Sequence, residues 1–124
     1  MYSKLSFINH KNVNMEIKLN SPYAAEQLKA QTILMEVIDP ELNINIIDLG
    51  LIYALDFALS DKLSVTMTLT TAHCPMGDAI KHAVEHKLAL AFPARTVSIN
   101  LVWEPEWTAA RMSDAAKTQL GFDR

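Results

Sequence analysis

The chain has 124 residues, the size of one ordinary domain, and that length can bury a core without metal or disulfide staples. Half of the residues are hydrophobic and a fifth are charged, which argues against disorder. Its 11 Lys+Arg against 14 Asp+Glu leave a net charge of −3, so nothing in the charge balance favours nucleic acid as a partner.

Residues 1–20 read as a tail, punctuated by Asn9, Asn12, Asn14 and Asn20, although Val13, Met15, Ile17 and Leu19 alternate as a short edge strand would. The domain is expected over 21–124. Ser21-Pro22 carries an N-cap residue followed by a first-turn proline. Ala30, Ile33, Leu34, Val37 and Ile38 follow the spacing of one helix face, and Pro40 ends that helix. Residues 39–50, DPELNINIIDLG, read as a connection bearing Asp39, Glu41 and Asp48. A strand then places Leu51, Tyr53, Leu55, Phe57 and Leu59 on one face, and Ser60-Asp61-Lys62 supplies a hairpin turn. The second strand turns Leu63, Val65, Met67 and Leu69 inward and Ser64, Thr66, Thr68 and Thr70 outward. Pro75 opens a second helix with the apolar stripe Met76, Ala79, Ile80, Ala83, Val84, Leu88 and Ala91, and Pro93 stops it. Val97, Ile99, Leu101 and Trp103 alternate along a third strand, broken by Glu104-Pro105-Glu106-Trp107. Ser113 caps a last short helix and Gly121 stands where a C′ glycine belongs. The order α-β-β-α-β-α predicts a small α+β two-layer sandwich, with a mixed three-stranded sheet packed against helices.

Cys74 precedes Pro75 at the start of the second helix. The amides and dipole of a helix start stabilise a thiolate, which can bind metal or act as a nucleophile; the structural alternative is a small buried hydrophobe. Asp39, Glu41 and Asp48 can ligate a metal or tune a nearby thiol, or they can simply cap and solvate a turn. His82 and His86 stand four apart, a spacing able to hold one metal, but Lys81, Glu85 and Lys87 around them fit a solvated face. His73 is adjacent to Cys74, and adjacent residues seldom point at one target; His10 falls in the tail. Trp103 and Trp107 either cover the edge of the core, the reading favoured here, or form a partner patch. There is no glycine-rich phosphate loop, no G-x-S-x-G, no H-E-x-x-H and no C-x-x-C. No apolar run reaches the roughly 18–20 residues of a membrane span, Leu5–Ile8 is too short for a signal-peptide core, and a single cysteine suits a reducing cytoplasm.

Three blocks, DPELNINIIDLGLIY at 39–53, TMTLTTAHCP at 66–75 and EPEWTAARMS at 104–113, together resemble the SufT/PaaD-type iron–sulfur cluster assembly domain family over roughly residues 24–122. The resemblance implies a small α+β domain that matures iron–sulfur proteins as an assembly factor or cluster carrier. It also implies a site at which Asp39, Glu41, Thr70, Thr71 and Cys74 cluster, with Asp48 in the DLG part either joining them or forming a turn. PaaD-like members, linked to a multicomponent oxygenase, add a cysteine-rich C-terminal extension; the absence of a further cysteine here favours the general assembly branch. Expected partners are the iron–sulfur assembly machinery and client apoproteins.

A cluster takes four cysteine ligands as a rule, and one chain supplies one thiolate. A homodimer would supply two, so the expected cargo is transient iron or a transient iron–sulfur cluster, with no tightly bound cofactor. The leading expectation is therefore a non-catalytic maturation factor with Cys74 as the iron or cluster ligand, Asp39 and Glu41 beside it, and Thr70 and Thr71 orienting the loop. The rivals are a Cys74-dependent enzyme, which lacks a recognisable oriented base, and a metal-free adaptor.

Overall fold

The computed structural model describes residues 17, 20–72 and 75–121. The N-terminal alternation at 13–19 lies outside them apart from Ile17, and His73 and Cys74 lie outside them altogether.

Helix α1 spans Ala24–Leu34, with Tyr23 at its N-cap. It begins later than Ser21-Pro22 suggests, because Ser21 spends its groups on a turn ahead of the helix. Its Oγ accepts from the Tyr23 amide at 3.1 Å, and its carbonyl accepts from Ala24 at 3.2 Å. The helix also ends earlier than Pro40 requires. Residues 39–50, read from sequence as a connection, form two short strands, β1 (Ile38–Asp39) and β2 (Ile44–Asn45), and a one-turn helix α2 (Ile46–Leu49). The strands pair antiparallel, and the Val37 carbonyl accepts from the Ile46 amide at 2.9 Å. These ladder bonds take the backbone groups that a longer helix would need. Val37 stays in the core, whereas Ile38 is 45% exposed and leaves the helix face assigned to it.

Strands β3 (Ile52–Asp56), β4 (Lys62–Met67) and β5 (Thr96–Leu101) form the expected mixed sheet in that spatial order. β3 pairs antiparallel with β4, and β5 lies parallel to β4, Leu63 facing Val97 and Val65 facing Ile99. Helix α3 (Gly77–Ala91) makes the crossover. It packs on both α1 and β5, and it buries Ile80, Val84 and Leu88 as its stripe predicts. Met76 and Ala79, assigned to that stripe, stay exposed. Ser113 accepts from the Ala116 amide and caps α4 (Asp114–Leu120), and Gly121 closes it at φ 81°; both ends are where the sequence puts them.

Leu63, Val65 and Met67 meet Leu55, Phe57, Leu34, Val84 and Leu88 in one core. Three side-chain assignments change. A register shift between Ile52 and Ala54 makes Tyr53 a bulged residue, so Ile52 and Leu55 both enter the core while Tyr53 stays half-buried. A bulge adds one residue to one strand and breaks the two-residue period beyond it. Leu59 falls in the turn and is exposed. Thr68, expected to face solvent, is 0% exposed. Strand pairing stops at Met67, and the Thr68 amide bonds back to the Leu51 carbonyl at 2.9 Å, which draws the residue under the sheet edge.

Candidate functional site

Because β4 and β5 are parallel, both deliver their carboxyl ends to one end of the sheet. Leu69–Ala72 follows β4 there and Trp103–Trp107 follows β5. Between them lies a cleft of about 270 Å³. Leu69, Thr70, Thr71 and Ala72 line one side, and Trp103, Glu104, Glu106 and Trp107 the other. A crevice outside the carboxyl ends of parallel strands is the general binding position of open α/β sheets.

The wall after β5 is fixed by contacts to the DLGLIY stretch. The Trp107 indole N–H donates to the Leu49 carbonyl at 2.7 Å, satisfying one of the free carbonyls at the end of α2. The Tyr53 hydroxyl donates to the Pro105 carbonyl at 2.8 Å. The Ser113 amide donates to the Asp48 carbonyl at 2.8 Å. Arg111 stacks on the Tyr53 ring, 4.6 Å from its centroid, and its Nε donates weakly to the Glu106 carbonyl at 3.4 Å. Burial pushes the Tyr53 phenol above its ordinary pKa; the Arg111 charge opposes the rise and Glu104 adds to it. On the opposite wall Gly77, the first residue of α3, lies so close to Leu69 that a Cβ there would come within 2.7 Å of Leu69 Cδ1.

Of the residues expected at the site, Thr70 and Thr71 line this cleft. The hydrogen bonds of Asp39 organise its own turn. Its carboxylate is 1% exposed, and Oδ1 accepts from the Glu41 amide at 2.8 Å and the Leu42 amide at 3.2 Å. Its carbonyl accepts from Asn43 at 2.7 Å, and Asn43 closes the turn at φ 60°. Glu41 contributes that amide, and its side chain is exposed. Asp48 exchanges bonds with Asn45, the N-cap of α2: Asn45 Nδ2 donates to Asp48 Oδ2 at 2.8 Å, and the Asp48 amide donates to Asn45 Oδ1 at 2.9 Å. This is a reciprocal cap, the turn-forming role that the DLG stretch also allowed. His82 and His86 are exposed on α3. Among the described residues no three His, Cys, Asp or Glu side chains gather as a metal site, and no helix is long and apolar enough to cross a membrane.

In the sequence Glu104 and Glu106 stand only as a strand break and as part of the EPEWTAARMS block, not as site residues. The signal for them was their position: two carboxylates directly after a strand that must end beside Thr70 and Thr71 if it pairs parallel. Trp107 packs against the core, as favoured from sequence, whereas Trp103 is 43% exposed.

Parts of the three family blocks, Asp48–Tyr53, Leu69–Ala72 and Glu104–Trp107, thus meet at one end of the domain. The profile of the family described as iron–sulfur cluster assembly protein matches residues 28–101. The chain belongs to this family. A relative from Porphyromonas gingivalis, named an Fe-S protein maturation auxiliary factor, is 38% identical over 104 residues, 84% of this chain and 99% of the relative. The Fe-S protein maturation auxiliary factor SufT of Staphylococcus aureus is 44% identical over 85 residues, 68% of this chain and 97% of its own length. Among solved structures, a domain of unknown function (DUF59) from Bacillus anthracis superposes with a TM-score of 0.73 at 38% identity, covering 78% of this chain and 92% of its own. A conserved hypothetical protein from Thermotoga maritima gives 0.68 at 29% identity, covering 77% and 93%.

Proposed function

We propose that this chain is an iron–sulfur protein maturation factor. In this reading it acts without catalysing a reaction of its own, and it works through the cleft at the carboxyl ends of β4 and β5. Family membership and the maturation-factor names of relatives matched over nearly their whole length support the role. The observation that supports the location is the convergence of Thr70–Ala72 with Glu104–Trp107 in one cleft, since the chain runs from Ala72 within two residues to Cys74. Cys74 is proposed as the thiol that holds iron or a cluster in transit. The helix-start argument for its reactivity loses force, because α3 begins at Gly77 with Met76 as N-cap, and the dipole acts mainly within the first turn. The remaining support for Cys74 is its closeness in sequence to Ala72, which lines the cleft, and the single thiolate that one chain can offer a four-ligand cluster.

Asp39 and Asp48 are proposed to support the site by holding the 39–50 segment, and Glu41 as an exposed polar neighbour. The cargo is iron or an iron–sulfur cluster, passed from the assembly machinery to client apoproteins. A reducing cytoplasm would keep the thiol available. Residues 21–124 are proposed as the working unit.

The test is anaerobic reconstitution with iron and sulfide, followed by delivery to an apo client, for wild type and Cys74→Ala. Delivery is expected to collapse in the variant. The denaturant midpoint should move little, within the roughly 0.5–3 kcal/mol of ordinary substitutions. Full delivery without the thiol would favour the adaptor reading.

A further inference from the structure

We infer that the cleft at the carboxyl ends of β4 and β5 receives an arginine side chain of a partner protein. This rests on the reading of the cleft as the functional site, but it uses none of the thiol chemistry. The cleft, about 270 Å³, lies just under the roughly 300–1,000 Å³ of small-molecule pockets, a size that suits one long side chain. Its chemistry is uneven. Trp103 and Trp107 supply indole surface, Glu104 and Glu106 supply two carboxylates, and Thr70 and Thr71 supply hydroxyls.

An aromatic surface beside carboxylates suits a cation with an apolar stem. The stem lies along indole while the head meets carboxylate oxygen, and tryptophan is the best of the rings for a cation. A divalent metal fits less well: a hard cation takes six or more oxygen ligands, and no metal-ligand cluster forms among the described residues. Guanidinium fits better than ammonium because it is planar, stacks on rings and binds carboxylates in a fork. The domain stacks cations on rings itself, with Arg111 4.6 Å from the Tyr53 centroid, Arg95 4.9 Å from that of Phe57 and Lys29 4.9 Å from that of Phe92; the paired carboxylates are what favour the forked guanidinium.

The two indoles of that wall differ in a useful way. Trp107 is pinned by its bond to the Leu49 carbonyl, so it is pre-organised and loses little freedom on binding. Trp103 is 43% exposed and has apolar surface left to cover. Among the described residues the only ion pair is Lys87–Glu36; Arg111, the cation of this wall, stacks on Tyr53 and bonds the Glu106 carbonyl rather than a Glu104 or Glu106 carboxylate within salt-bridge distance.

The test titrates the full chain with N-acetyl-arginine amide and follows the two indole N–H signals by NMR, with the neutral isostere N-acetyl-citrulline amide as control. The arginine probe is expected to shift both indole signals. Citrulline should bind about tenfold more weakly, as should arginine to a Glu104→Gln/Glu106→Gln variant, given the size of cation–π and charge-assisted contacts. Equal binding of citrulline, unchanged binding by the double variant, or arginine shifts away from the two tryptophans would overturn the proposal. Cys74→Ala separates this idea from the maturation reading. Arginine binding should survive in Cys74→Ala while cluster delivery is lost. If delivery persists without the thiol, the cargo role of Cys74 falls and arginine docking still stands or falls on the titration.

Discussion

The two ends of the sheet are built from the same three strands and have opposite fates. At the end where β3 turns into β4, Arg95 Nη1 donates to the carbonyls of Phe57, Leu59 and Lys62 at 3.1, 2.7 and 2.7 Å. Its guanidinium also stacks on Phe57, which meets Phe92 edge-on at 5.2 Å. One side chain thus closes that end by satisfying backbone groups that the turn leaves over. At the other end the equivalent segments diverge, and the polar groups of Thr70, Glu104 and Glu106 line an opening. A sheet end whose carbonyls are sealed by its own arginine serves stability. An end that leaves carboxylates and indole open is available to a ligand.

Both ends share one core, so the largest effect comes from breaking it. Val84 is completely buried beneath the sheet, and Val84→Asp would bury a carboxylate there without a partner, costing more than about 4 kcal/mol. Loss of the cooperative unfolding transition by circular dichroism is the expected result; a folded variant would mean that the core tolerates charge and that the two ends do not depend on it in common.

The sealed end is tested next. Arg95→Ala should lower stability by about 1–3 kcal/mol, since three carbonyls lose a charged donor, and a denaturant midpoint measures it. The indole N–H signals of Trp103 and Trp107 should stay where they are. If they move, the ends are not separable.

Trp107→Phe makes the converse test. It keeps an aromatic ring but removes the N–H and part of the indole, leaving the Leu49 carbonyl without that donor, for about 1–2 kcal/mol. Chemical shifts should change around Leu49 and Thr70 and remain unchanged around Arg95.

The smallest effect is a pH dependence at the open end. In the unfolded chain the Tyr53 phenol ionises near pH 10, and in the folded protein burial, with Glu104 adding and Arg111 opposing, raises that value. The contribution of the neutral phenol is therefore intact below pH 10 and is lost as the pH climbs through the folded value. Tyr53→Phe should lose a little stability at neutral pH, because it removes the hydroxyl bond to Pro105, and its stability should fall less steeply than that of wild type above pH 10. Parallel midpoint-versus-pH curves for the two proteins would show that Tyr53 carries no such dependence.

Sequence by itself determined the features whose signals are local. The alternation of Leu63, Val65 and Met67 made β4, the spacing of Ile80, Val84 and Leu88 made α3, and Ser113 with Gly121 bounded α4, because strand period, helix period and capping act within one or two turns of chain. The resemblance of three short blocks led to the family that the comparisons show. Other features depended on pairing between segments that no local period reports. The bulge at Tyr53 put Ile52 in the core in its place, while Leu51, Leu55 and Phe57 kept the inward face, and the ladder at Ile38–Asp39 ended α1 early. The bond from Thr68 to Leu51 buried a threonine expected in solvent. Asp39 and Asp48 were legible as acidic residues near turns, but only the structure showed their hydrogen bonds committed to the turn and the helix cap beside them. The cleft itself was the least legible. Thr70 and Glu104 are brought to opposite walls by the parallel pairing of β4 with β5, and parallel pairing is a tertiary choice: it requires α3 to cross over the sheet and bury its stripe against both α1 and the strands.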